Sequence, residues 1–203
     1  MIGGIQARLA GVAQRLLGRG IMRRLVRQQD GAAAVEFALV AAPFLALMFA
    51  IMETAMVFFA SQSLETVAAD SARLIMTGQA QSQGFDQDKF KQAVCDKVAG
   101  LFDCMGGLYV DVQTYSSFAT MSGGATQKLN DIKALFDSST PPTSDQFSYQ
   151  AGGPGDIVVV RLIYLWPVYV PLLGLDLADM PGNKRLVMAT VAFRNEPYQG
   201  DGT

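Results

Sequence analysis

The sequence predicts an α+β protein: one long N-terminal transmembrane helix, then a small exported domain with an antiparallel sheet. Three observations lead there. Residues 32–60 read AAAVEFALVAAPFLALMFAIMETAMVFFA, an apolar run broken only by Glu36 and Glu53. As a helix it would extend roughly 43 Å, more than a ~30 Å hydrocarbon core requires. Charge divides about that run. Residues 1–31 hold six arginines against Asp30, a net +5, and residues 32–203 hold ten basic and seventeen acidic side chains, a net −7. Downstream, β-branched runs alternate with amphipathic stretches and Gly/Pro breaks, as in an α+β globule.

Residues 1–31 form a basic leader. The positive-inside rule puts Arg8, Arg15, Arg19, Arg23, Arg24 and Arg27 in the cytoplasm and residues beyond ~60 in the periplasm. Leu9, Val12, Leu16, Leu17, Ile21, Leu25 and Val26 recur among them at helical spacing. That suits a helix lying on the inner leaflet, and a plain solvated leader fits the same charges. Met1 and Met22 are alternative starts.

Residues 32–60 read as the span. A core helix of a soluble domain seldom runs so far without a polar stripe. A secretory signal has an apolar region of about 7–15 residues and then small-x-small before the cut. This run is longer and ends Phe58-Phe59-Ala60-Ser61. Residues 61–78 extend the helix into the periplasm, with Glu65, Ala68, Ala69, Ala72 and Arg73 keeping helical character up to a glycine cap at Thr77-Gly78.

Residues 79–203 make the exported domain, large enough for its own core. Residues 79–84 read as a polar linker. Residues 86–100 read as an amphipathic helix with Phe90, Val94, Val98 and Leu101 inward. Strands are expected at 108–115, 157–165 and 185–194, a short helix at 127–137, and loops at 138–145 and 152–155. In Trp166-Pro167-Val168-Tyr169-Val170-Pro171-Leu172-Leu173-Gly174 the prolines argue against a central strand. The segment is either a loop or edge over the core, or an exposed docking patch.

Composition narrows the chemistry. The chain has no histidine, which removes the usual general base, the Ser-His and Cys-His pairs and the commonest metal ligand. A net charge of −2 argues against a nucleic-acid partner. Carboxylates such as Asp86, Asp88, Asp176 and Asp179 are scattered, with no hydrolase motif or phosphate loop around them. Neither catalytic residues, a metal, a cofactor nor a small-molecule substrate is expected.

The junction at residues 27–37 is more specific. Gly31 closes the leader, Ala32 opens the apolar run, and Glu36-Phe37 follows five residues after the glycine. A carboxylate near the start of a span is usually kept for a partner or a pathway, though an interfacial glutamate costs little. Gly31, with Glu36 and Phe37 at that spacing, resembles the cleavage site of type IV prepilins. The wider run 31–81 resembles the TadE-like family of the tight-adherence (Tad/Flp) pilus system, in Val35 to Val40, Pro43, the second membrane-boundary carboxylate Glu53, and Ala68, Ala69, Ala72 and Arg73. The resemblance implies a bitopic inner-membrane pseudopilin or minor pilin, cut between Gly31 and Ala32, with a pilin-like ladle architecture. The implied partners are a prepilin peptidase, other Tad pilins and pseudopilins, the inner-membrane assembly platform and the lipid bilayer. Small residues such as Ala34, Ala38 and Ala42 allow close helix approach in lipid. Pro43 either kinks the helix or is merely tolerated. The alternative function is a tethered periplasmic binding or signalling module whose helix is only an anchor.

Cys95 and Cys104 are the only cysteines. Exported, two cysteines most often pair, and without histidine they are too few for zinc. In one straight helix they would sit ~13 Å apart, so a disulfide requires the helix to end near Gly100 and fold back.

Overall fold

The computed structural model describes residues 31–98, 100, 103–138, 140–169 and 177–198. The arginine leader with Met22, together with Leu101, residues 170–174 and Asp176, lies outside the described residues. The chain divides into two compact units, residues 1–48 and 49–203. The division falls inside one helix, α1 (Ala32–Met76). The fold class is as expected: a long N-terminal apolar helix followed by a small domain with a three-stranded antiparallel sheet.

In the first unit the helix leaves its apolar side chains uncovered, Val35, Phe37, Leu39, Val40 and Phe44 among them. Pro43 lies within α1 without ending it. Proline lacks the N–H that would bond the carbonyl of Leu39, so one rung of the ladder is missing there.

In the second unit α1 acquires a packed side. Ala50, Glu53, Val57, Ala60, Leu64 and Val67 are buried, and the stripe continues to Ile75. The spacing of three and four residues keeps one face on the domain. Alanines at 60, 68 and 72, almost wholly buried, let the sheet approach closely. The helix ends where the glycine cap was expected. Gly78 is left-handed at φ 77°, and its N–H bonds the carbonyl of Ile75. A Cβ there would stand 2.5 Å from the Tyr198 ring, so only glycine fits.

The sheet has the order β1 (Leu108–Tyr115), β2 (Ile157–Pro167), β3 (Lys184–Arg194), with Asp111 opposite Arg161 and Ile157 opposite Arg194. Alternation sorts its side chains. Val110, Val112, Val158, Val160 and Leu162 join the core built on α1, whereas Ile163 lies in a second cluster with Ile132, Phe136 and Phe147, against which Tyr109 packs. Tyr109 meets Phe136 edge-on at 5.2 Å between ring centroids. With both faces covered, the middle strand β2 reads as a nearly continuous apolar run.

Four local expectations change. The linker contains a short helix, α2 (Gln79–Ser82), with Ala80 buried. The Gln81 side-chain amide donates to the carbonyls of Ile75, Ala151 and Gly152, which is why so polar a segment is ordered. The amphipathic helix is α3 (Gln87–Cys95), capped by the Asp86 carboxylate on the N–H of Lys89. It stops before Gly100 because the chain turns directly after Cys95 and returns to Cys104, the first residue of α4 (Cys104–Gly107). The helix expected at 127–137 is α5 (Phe118–Asp137), started earlier by a Ser117–Thr120 capping box that outweighs Gly123 and Gly124.

Finally, Trp166 and Pro167 belong to the end of the middle strand rather than to a loop. β1 ends opposite Tyr164, so Leu165, Trp166 and Pro167 pair with β3 alone. The N–H of Val168 points to β3 and bonds Asn183. By alternation the missing N–H of Pro167 faces the side that β1 has already vacated. Locally the middle strand is an edge, which is where proline is admitted.

Candidate membrane-boundary site

Gly31 is exposed and immediately precedes the first residue of α1, Ala32. Among the described residues, no atom beyond its chain neighbours lies within 4 Å of a Cβ built on Gly31. Glu36 and Phe37 follow just past the first helical turn, both exposed, Phe37 at 75%. Among the described residues, the Glu36 side chain makes no hydrogen bond or ion pair. α1 is the helix long and apolar enough to cross a membrane, with a mean hydropathy of 2.2 in its most apolar stretch.

Glu53 stands in a different setting. It is buried, and one carboxylate oxygen accepts the backbone N–H of Tyr169, 116 residues away. Phe49, Met52, Glu53, Met56, Trp166 and Tyr169 surround a cavity of about 170 Å³. Trp166 and Val168 are buried while Tyr169 is 76% exposed, so the described part of the 166–174 segment covers core with alternate residues. A carboxylate inside an apolar run is thus compensated by a backbone donor, a partner invisible at the level of spacing.

Cys95 and Cys104 are bonded, with Cα atoms 5.6 Å apart. They fasten the end of α3 to the short helix that leads into β1. In the chain-entropy treatment a loop of this length contributes about 2.5–3 kcal/mol. Replacing both cysteines by serine is therefore expected to lower the unfolding free energy by that amount, with a somewhat steeper slope because the unfolded chain is freed, as urea unfolding would measure.

An ion pair inside the sheet escaped the sequence reading. Asp111 is fully buried and Arg161 is 2% exposed, with 2.9 Å between Oδ2 and the guanidinium. The other oxygen of Asp111 accepts the N–H of Ser148 and lies 3.7 Å from the Lys128 ammonium on α5. The available signal was Arg161 itself, a lone charge within an apolar strand. Beside Ser148, the Tyr149 phenol has no hydrogen-bond partner among the described residues. Burial, with the Asp86 carboxylate adding to it, pushes its pKa up to about 12. Both features belong to packing, and neither lies among the residues around Gly31, Glu36 or Glu53.

Comparison with known proteins bears on the same stretch. No curated protein and no solved structure matches the chain. The model of the TadE-like protein family matches residues 31–73, from the glycine before α1 to Arg73. Over the segment that carries Gly31, Glu36, Pro43 and Glu53, this chain is similar to the TadE-like protein family.

Proposed function

We propose that this protein is a bitopic inner-membrane pseudopilin or minor pilin, cleaved after Gly31, that takes part in assembling a Tad/Flp type IV pilus. The observation that carries the reading is the family match at residues 31–73. An exposed glycine directly before a long apolar helix supports it, as does the glutamate five residues beyond. In this reading the arginine leader stays in the cytoplasm and the second unit lies in the periplasm.

The chemistry follows from the helix start. Hydrolysis of the Gly31–Ala32 bond leaves an ammonium on Ala32 at the membrane edge. The Glu36 carboxylate, on the same chain or on a neighbour, neutralises that charge where water is scarce. Prepilin peptidase would read the junction, and other Tad pilins and the assembly platform would receive the mature helix through its alanine-rich surface. The role is non-enzymatic and structural.

Deleting the gene tests this role. Surface pili should be lost or sharply reduced and should return with the wild-type gene in trans, as electron microscopy and shear-fraction blots would record. Unchanged piliation in the deletion strain would contradict an assembly function.

A further inference from the structure

The cavity beside Glu53 has no part in cleavage or in amine pairing, yet its walls are unusual for a surface recess. Phe49, Met52 and Met56 come from α1, and Trp166 and Tyr169 from the end of β2 and the residues after it. The one charged group in the wall, Glu53, is engaged by the Tyr169 N–H. Among the described residues no basic side chain lines it, so none of them recognises a phosphate. What remains is aromatic and thioether surface, suited to hydrocarbon.

Its position along the chain points the same way. The apolar run 32–60 is longer than the hydrocarbon core requires, and the ~20 residues that cross that core, counted from Ala32, end close to residue 52. The helical wall at 49–56 therefore straddles the outer edge of the apolar core. On the same unit Ile51, Phe58 and Phe59 are 62%, 67% and 56% exposed, an apolar flank that is continuous in sequence with the span. Trp and Tyr are the residues enriched at that depth, where an apolar ring meets a polar headgroup zone.

We propose that this cavity takes the acyl chain of an outer-leaflet lipid, seating residues 166–169 in the bilayer interface. The proposal rests on the reading of α1 as a membrane span. It adds a defined lipid contact made by the sheet domain itself.

Trp166 is the chain's single tryptophan, so its emission reports on this cavity alone. The full chain is reconstituted in phosphatidylcholine vesicles whose lipids are unlabelled, brominated high on the acyl chain, or brominated near its methyl end. Bromine quenches tryptophan essentially on contact. The expected result is loss of emission with the high-chain bromines, less with the low-chain ones, and little quenching by aqueous acrylamide. Met52→Asp and Met56→Asp alter wall residues that are 55% and 41% exposed, so folding should survive, and each should weaken the bromine effect. Retention of the protein in vesicles after an alkaline wash, with Trp166 quenched by acrylamide and not by bromine, would overturn the lipid site and leave the span intact. Quenching by neither reagent would mean that protein fills the cavity, either residues 170–174 or a second copy, and would also overturn it. Release of the protein by the alkaline wash would overturn the span and the lipid site together.

Discussion

Asp111→Ala is expected to destabilise the second unit by about 3–5 kcal/mol, a large fraction of the stability of a domain this size. The loss comes from what remains rather than from what is removed. Arg161 is 2% exposed in the middle strand, and without its carboxylate the guanidinium is an uncompensated buried charge, while Lys128, the other group beside Asp111, is also a cation. The N–H of Ser148 loses its acceptor as well. Asp111→Asn keeps an acceptor for Ser148 but still strands the arginine, so it should be intermediate. Replacing Asp111 and Arg161 together by leucine removes both charges and should recover most of the deficit, because a buried pair is often matched by well-packed apolar residues. Urea unfolding of the full chain in detergent measures all four proteins. A single alanine variant within ~0.5 kcal/mol of wild type would contradict the account, since that is the range of ordinary surface substitutions.

Glu36→Gln is expected to leave membrane insertion and processing intact and to reduce incorporation into pili severely. The substitution keeps shape and polarity and removes only the charge that would neutralise a freed Ala32 ammonium. In a low-dielectric setting an uncompensated charge costs several kcal/mol, which is large beside the small surplus that drives helix association in lipid. Glu53→Gln is the informative comparison. Glu53 is buried and bonded to the Tyr169 N–H, so its loss should act through the packing of the second unit and not through the amine. Immunoblots of membranes and sheared pili, run side by side, separate the two. Normal piliation in Glu36→Gln would reduce that residue to an interfacial carboxylate. Failed processing would show that the peptidase reads it instead.

The long helix, the three strands, the glycine cap at Gly78 and the cysteine pair were legible because each depends on local chemistry. Strand β1 has the expected bounds, and β2 and β3 extend theirs by two residues and one. The misses depend on distant partners. From residue 32 to 60 the helix is apolar on every side, so composition hides where its packed stripe begins, at Ala50. Gln81 reads as linker polarity until the loop at Ala151 and Gly152 supplies its acceptors. Pro167 reads as a strand breaker until the shorter length of β1 is known. Glu36 and Glu53 look alike in sequence, two acidic breaks in one apolar run. They differ in the fold because only the second meets the backbone after β2.

Processing at the Gly31–Ala32 junction would be read from the mass of the mature protein. Intact-mass spectrometry and N-terminal sequencing of the membrane-extracted native protein should give a chain that begins at Ala32. The same protein from a strain lacking prepilin peptidase should retain its leader. A mature chain that still begins at Met1 or Met22, or one cut beyond residue 55, would contradict the account.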